Sequence, residues 1–191
     1  MQGAAHPLVL APGVLGGVNV VLASAGAPSR FGAALAARCE GLGAQVQPRR
    51  IDPLGEEPEP FEGPAGVLVW DAAGAFGAHD AVDAVRAALD GAWLAIRPVA
   101  RPAMIDSGTG GKLLLLAPPP GGAHAAAARA GLENLARTLS VEWARFNVRP
   151  VALHPGAATR PGELAELAAF LASRAGDYYS GCRFSLGEAD A

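Results

Sequence analysis

Lys112–Ala117 (KLLLLA), Ala123–Phe146 (AHAAAARAGLENLARTLSVEWARF) and Arg149–His154 (RPVALH) follow one another in the chain, and their order decides the fold. The first is a short apolar run behind a single lysine, as expected of a strand covered on both faces. The second places Leu132, Leu135, Leu139 and Trp143 at helical spacing, which makes it the clearest helix in the chain. The third returns to strand. A strand, a helix and a strand in succession define a right-handed crossover between parallel neighbours.

The same alternation extends outward. Upstream, Val67–Trp70 is a fully apolar run, and Asp80 to about Ile105 reads as a long helix kinked near Pro98 and Pro102. Further back, Gly17–Ala23 reads as a strand ending in the small-residue turn Ser24–Ser29. A helix over Gly32–Leu42 follows, with Leu35, Ala36, Cys39 and Leu42 on one face, and then a second strand over Val46–Ile51. Downstream come a helix, Glu163–Arg174, and a last strand near Arg183–Leu186. The expected fold is α/β, a three-layer doubly wound parallel sheet of Rossmann-like type. One domain spans 1–191, with 1–16 as an N-terminal extension. Leu8–Leu15 fits either an edge strand or a cover over the sheet. The Pro/Glu-rich connection 52–65 is expected to be exposed, with no core of its own.

Composition narrows the function classes. Of the 191 residues 51% are hydrophobic and 17% charged, which excludes disorder. The net charge of -3 leaves no electrostatic footprint for nucleic acid. Cys39 and Cys182 match no metal or redox spacing and read as reduced thiols. No apolar run is long enough to span a bilayer. Met1–Leu10 has no basic segment ahead of its apolar stretch, so the default expectation is a cytoplasmic protein.

From about Val18 to Leu186 the order of elements resembles the short-chain dehydrogenase/reductase family. Ala130–Ala144 (AGLENLARTLSVEWA) resembles the helix that follows the family's active-site tyrosine. Val151–Gly156, ending in Pro155-Gly156, is similar to the strand and turn beside the nicotinamide. Ala165–Ser173 and Tyr178–Leu186 resemble the closing helix and strand.

The motifs that carry the family's chemistry depart from its pattern. The cofactor turn TGxxxGxG needs a backbone that approaches a pyrophosphate closely at a helix N-terminus. Here Ala25–Gly32 keeps Gly26 and Gly32, but Arg30 replaces the middle glycine and Pro28 removes an amide donor. An arginine swung outward would be the one rescue, gripping a phosphate with its guanidinium. The NNAG turn becomes Asp71-Ala72-Ala73-Gly74. The helix asparagine of the proton relay falls at Ala88, and the catalytic serine at Pro118. In the YxxxK pair the tyrosine is the general acid or base, and the lysine lowers its pKa. Their positions are Ala125 and Arg129. His124 cannot replace the tyrosine, because residues five apart on a helix diverge by about 140°, against about 40° for four. It reads as a surface or capping residue, and Tyr178 and Tyr179 as structural aromatics.

Two deletions accompany these changes. Between Ile51 and Gly66 there is no room for the family's helix, strand and helix, so the third-strand region is reduced. Asp52 reads as an exposed turn residue, with mimicry of the family's adenine- or ribose-side acid as the alternative. After Gly156 only Ala157–Gly162 precede the next helix, so the substrate lid is reduced too. The resemblance therefore implies a non-catalytic subunit with no catalytic residues and a vestigial cofactor turn (Gly26, Arg30, Gly32, Asp71). No cofactor or metal is expected, NAD(P) being the one the family would allow. Small residues at Ala126, Ala127, Ala130 and Gly131 suit close helix contact, either with the chain's own sheet or with a partner. Helices 80–105 and 123–146 would then join a second copy or an active paralogue. The alternatives are an NAD(P)-dependent oxidoreductase with an altered site, and a small-ligand or acyl-thioester module using an opened cleft near Trp70, Asp71 and His154.

Overall fold

A computed structural model describes residues 10–187. Its six strands are β1 (Asn19–Ser24), β2 (Gln45–Arg50), β3 (Val67–Asp71), β4 (Gly111–Leu116), β5 (Val148–Pro155) and β6 (Arg183–Leu186). They form one sheet in the order β2-β1-β3-β4-β5-β6, every pair parallel. The helices are α1 (Arg30–Gly41), α2 (Ala72–Gly77), α3 (Ala81–Ala100), α4 (Ala125–Glu142) and α5 (Pro161–Ala172). This is the doubly wound Rossmann-like architecture expected from the sequence. The chain reverses its winding between β1 and β3, and the crevice outside their carboxyl ends is the switch point where such sheets bind ligands.

Period-two alternation builds two cores. Val21, Leu68, Trp70, Leu113, Leu115 and Ala152 face α3 and α4. Val20, Leu22, Val67, Val69, Leu114 and Val151 face α1 and α5. Leu35, Cys39 and Leu42 are buried as the helical spacing predicted, while Ala36 is half-buried. Leu15 is buried in the second core and donates its N–H to Leu42 O. The described part of the 8–15 stretch is therefore turn and cover, without a strand; Leu8 and Val9 lie outside the described residues.

The sheet stops at β2 for a local reason. Its sequence, QVQPRR, leaves no residue fully buried, and Pro48 has no N–H to offer a further strand. Charge and proline are the usual ways of closing a sheet edge. No helix or strand is formed between Ile51 and Gly66. The expectation that this connection has no core of its own needs correction. Ile51 is buried, and Leu54 and Phe61 pack against the α3 side of the core. The anchor is a backbone bond. Pro102 has no N–H, so Pro98 lacks its usual i+4 donor within the helix. Phe61 donates its N–H to Pro98 O at 2.8 Å, and Arg97 pairs with Glu57 at 2.7 Å. Past this point α3 widens into a π turn over Arg101–Asp106.

The sequence reading missed α2, treating Asp71–Gly74 as a turn. The lid region is as short as expected, with only residues 156–160 between β5 and α5.

Candidate functional site

The switch-point crevice is built by the turn after β1, the N-terminus of α1 and the β3–α2 junction. Ser29 caps α1, its Oγ accepting from Gly32 N at 3.1 Å. Into this junction β3 delivers Asp71, whose residue is completely buried. One carboxylate oxygen accepts from Ser29 N at 2.6 Å. The other accepts from Ser29 Oγ at 2.8 Å and from Gly74 N at 3.1 Å. Asp71 is thus also the cap of α2. Burial pushes its carboxyl above the usual carboxylate range, and the Ser29 and Gly74 hydrogen bonds oppose that shift. A methyl group at Gly32 would stand 2.4 Å from Asp71 Oδ2, so this carboxylate alone already requires glycine there.

The remaining residues of the turn take no part in the cluster. Gly26 is exposed and accepts from Ser24 Oγ. Arg30 is exposed, its guanidinium lying 4.7 Å from the centre of the Phe31 ring. Asp52 is exposed and accepts from Leu54 N in its own turn, as expected of a turn residue.

On the other side of the sheet lie the positions that the resemblance gives to catalysis. Ala88 is buried, and its backbone carbonyl accepts the indole N–H of Trp70 at 2.9 Å. Pro118 is buried at the end of β4. Ala125 is buried in the first turn of α4. Arg129, one turn further on, donates through Nη1 to the carbonyls of Pro118 and Pro155, each at 2.8 Å. It thereby ties the segment after β4 to the end of β5. His124 is exposed, makes no side-chain cap and holds a left-handed φ of 64°.

His154, one residue before the end of β5, is 2% exposed, and its Nε2 has no hydrogen-bonding partner among the described residues. Burial and the neighbouring Arg129 and Arg183 lower its pKa to about 4, against a weaker pull from Glu133 and from a hydrogen bond with the Arg129 backbone. At neutral pH it is an uncharged imidazole. The three side chains expected beside an opened cleft, Trp70, Asp71 and His154, are therefore all buried. Trp70 and His154 are covered by the α3–α4 layer, and Asp71 by the α1 turn.

One further expectation needs amendment. Tyr178 is 91% exposed, so it holds nothing together. Tyr179 does, packing on Phe170 and edge-on against Phe184. Both cysteines are free thiols, as expected; Cys39 is buried, which pushes its thiol up to about 11. Cys182 is half-buried. Among the described residues no His/Cys/Asp/Glu group could hold a metal ion, and no helix is long and apolar enough to cross a membrane.

No protein-family model matches the chain, and no curated protein matches its sequence. Solved structures do match its fold. A citronellol catabolism dehydrogenase from Pseudomonas aeruginosa PAO1 superposes with a TM-score of 0.73 at 23% identity, over 95% of this chain and 98% of that one. A hydroxysteroid dehydrogenase from Escherichia coli gives 0.73 at 20% identity, over 92% and 97%. A gluconate 5-dehydrogenase from Burkholderia cenocepacia J2315, solved with NADP and tartrate, gives 0.72 at 21% identity, over 90% and 94%. The fold is the one these dehydrogenases share, and at such identities the likeness is one of fold alone.

Proposed function

We propose that this chain is a shortened, degenerate short-chain dehydrogenase/reductase that does not catalyse on its own and acts as a structural or regulatory subunit. It joins a second copy of itself or an active paralogue through helices 80–105 and 123–146. The observation that carries this reading is the engagement of Arg129. A catalytic pair of tyrosine and lysine needs both side chains free to face a substrate. At the aligned positions Ala125 has no titratable group, and Arg129 is engaged with two backbone carbonyls.

The outer faces of α3 and α4 support the assembly. Ala126, Ala127 and Ala130 are exposed, and Val82, Trp93 and Val141 are 62%, 42% and 78% exposed. A cavity of about 240 Å³ lies between Trp93, Trp143, Arg97 and Ile105. Gly131 has a different role from its alanine neighbours, because a methyl there would meet Leu89 of α3 at 2.7 Å. It serves contact within the chain.

The test is solution mass, measured for the protein alone and after co-expression with active short-chain dehydrogenase/reductase paralogues. A defined oligomer is expected, and a monomer that ignores every such paralogue overturns the proposal. The shared fold with an NADP-bound gluconate 5-dehydrogenase favours a second reading, an NAD(P)-dependent oxidoreductase with altered chemistry. Calorimetric titration with NADH and NADPH decides it, and no binding at millimolar cofactor removes it.

A further inference from the structure

We propose that Asp71 is an internal anion that takes the place of a bound phosphate at the mouth of α1, and that its side chain decides what the switch-point crevice accepts. The inference rests on the reading that no dinucleotide binds here, and names the residue responsible.

Three observations lead to it. The N-terminus of a twelve-residue helix, α1, opens on the crevice between β1 and β3, where backbone N–H groups and the helix dipole favour negative charge. The group found there is a carboxylate of the same chain, wholly buried, whose described hydrogen bonds all come from N–H and O–H donors. The space around it is shaped for an anion by missing side chains. A Cβ at Gly32 would lie 2.4 Å from Asp71 Oδ2, and one at Gly74 would lie 3.2 Å from it.

A second anion entering this cradle meets Asp71 in a buried, low-dielectric setting, where like charges repel far more than in water. The donors it would need at Ser29 and Gly74 already point elsewhere. The crevice is therefore closed from inside by charge and by occupied donors, without any bulky side chain.

The test is calorimetric titration of the wild-type chain, Asp71→Asn and Asp71→Ala with inorganic pyrophosphate, and separately with NADH. Each variant is first checked for a cooperative melt. Pyrophosphate is expected to bind at least one folded variant about tenfold or more tighter than wild type. Folded variants that bind pyrophosphate no better than wild type overturn the proposal and leave the non-catalytic reading intact. Wild type that binds NADH at millimolar concentration overturns the proposal and favours the altered-oxidoreductase reading, while variants that bind pyrophosphate but not NADH uphold it. Should neither variant fold, the wild-type melt is measured in pyrophosphate against sodium chloride of equal ionic strength. Equal melting temperatures are expected, and a pyrophosphate-specific rise shows an open anion site and overturns the proposal.

Discussion

Trp70 donates its indole N–H to the main-chain carbonyl of Ala88 at 2.9 Å, and both residues are fully buried. A central strand is thus bonded to the middle of α3 by a single side chain. Replacing Trp70 by Phe leaves the Ala88 carbonyl without this donor and removes part of a large buried ring. The Ala88 carbonyl keeps its bond within α3, so the expected loss is about 2–4 kcal/mol, the sum of one lost buried hydrogen bond and a partial cavity. Urea unfolding at constant slope checks it.

Arg129 reaches two carbonyls that belong to different strand ends. A lysine has a single point charge on a flexible stem and does not reproduce a planar fork. Arg129→Lys is expected to destabilise the protein by about 1–2 kcal/mol, and Arg129→Met by more, about 2–3 kcal/mol, since both acceptors then lose their charged donor. Neither substitution is expected to create dehydrogenase activity with NADH or NADPH. If Arg129→Lys restores turnover, the position is catalytic after all.

His154 sets a pH dependence. Its folded-state pKa, about 4, lies below the ordinary 6.5. Between those values the unfolded chain binds more protons, so stability contributed by the neutral imidazole falls as pH drops from about 6.5 towards 4. The contribution is on the order of 3 kcal/mol. Asp71, whose carboxyl is shifted upward, acts in the opposite sense, since its ionisation as pH rises lowers stability. The two are separated by comparing urea midpoints at pH 7 and pH 4.5 for wild type and His154→Leu. The difference between the two proteins is expected to narrow or reverse at the lower pH. A constant difference would mean that His154 ionises normally.

Ala127 and Ala130 lie exposed on the outer face of α4. Ala130→Arg is therefore expected to change stability by less than about 0.5 kcal/mol. It should nevertheless lower the solution mass if α4 is an assembly face, as light scattering at matched concentrations would show. Unchanged mass in an oligomeric protein would place the interface elsewhere.

His124 holds a left-handed backbone conformation at the N-cap of α4, and its side chain makes no cap hydrogen bond. Asparagine tolerates that region better and is a strong helix cap. His124→Asn should raise stability by about 0.5–1 kcal/mol, measured by the urea midpoint.

The strands were legible because each central one is a short apolar run with its own period, as at Val67–Trp70 and Lys112–Ala117. The long helices were legible from their spacing. What the sequence hid was of two kinds. Ala72–Gly77 is too short and too uniformly small to show a helical face, and its one signal was Asp71 three residues before Gly74, the spacing of a cap. The other kind is long-range. The bonds of Asp71 to Ser29, of Arg129 to Pro155 and of Phe61 to Pro98 join residues 26 to 42 positions apart, and no local pattern announces them. Position 30 drew attention because a glycine was missing, yet the carboxylate in the crevice comes from the adjoining strand.

The two rims of the sheet are not equivalent. At β2, proline and arginine face outward and deny a neighbouring chain a ladder to climb. At β6, the four-residue strand Arg183–Leu186 carries no proline. Among the described residues, strand-to-strand growth, whether as orderly pairing or as fibre formation, has only the β6 rim open to it. Blocking that rim, for instance by proline at Ser185, would separate strand pairing from contact through the helical faces as routes by which copies of this chain meet.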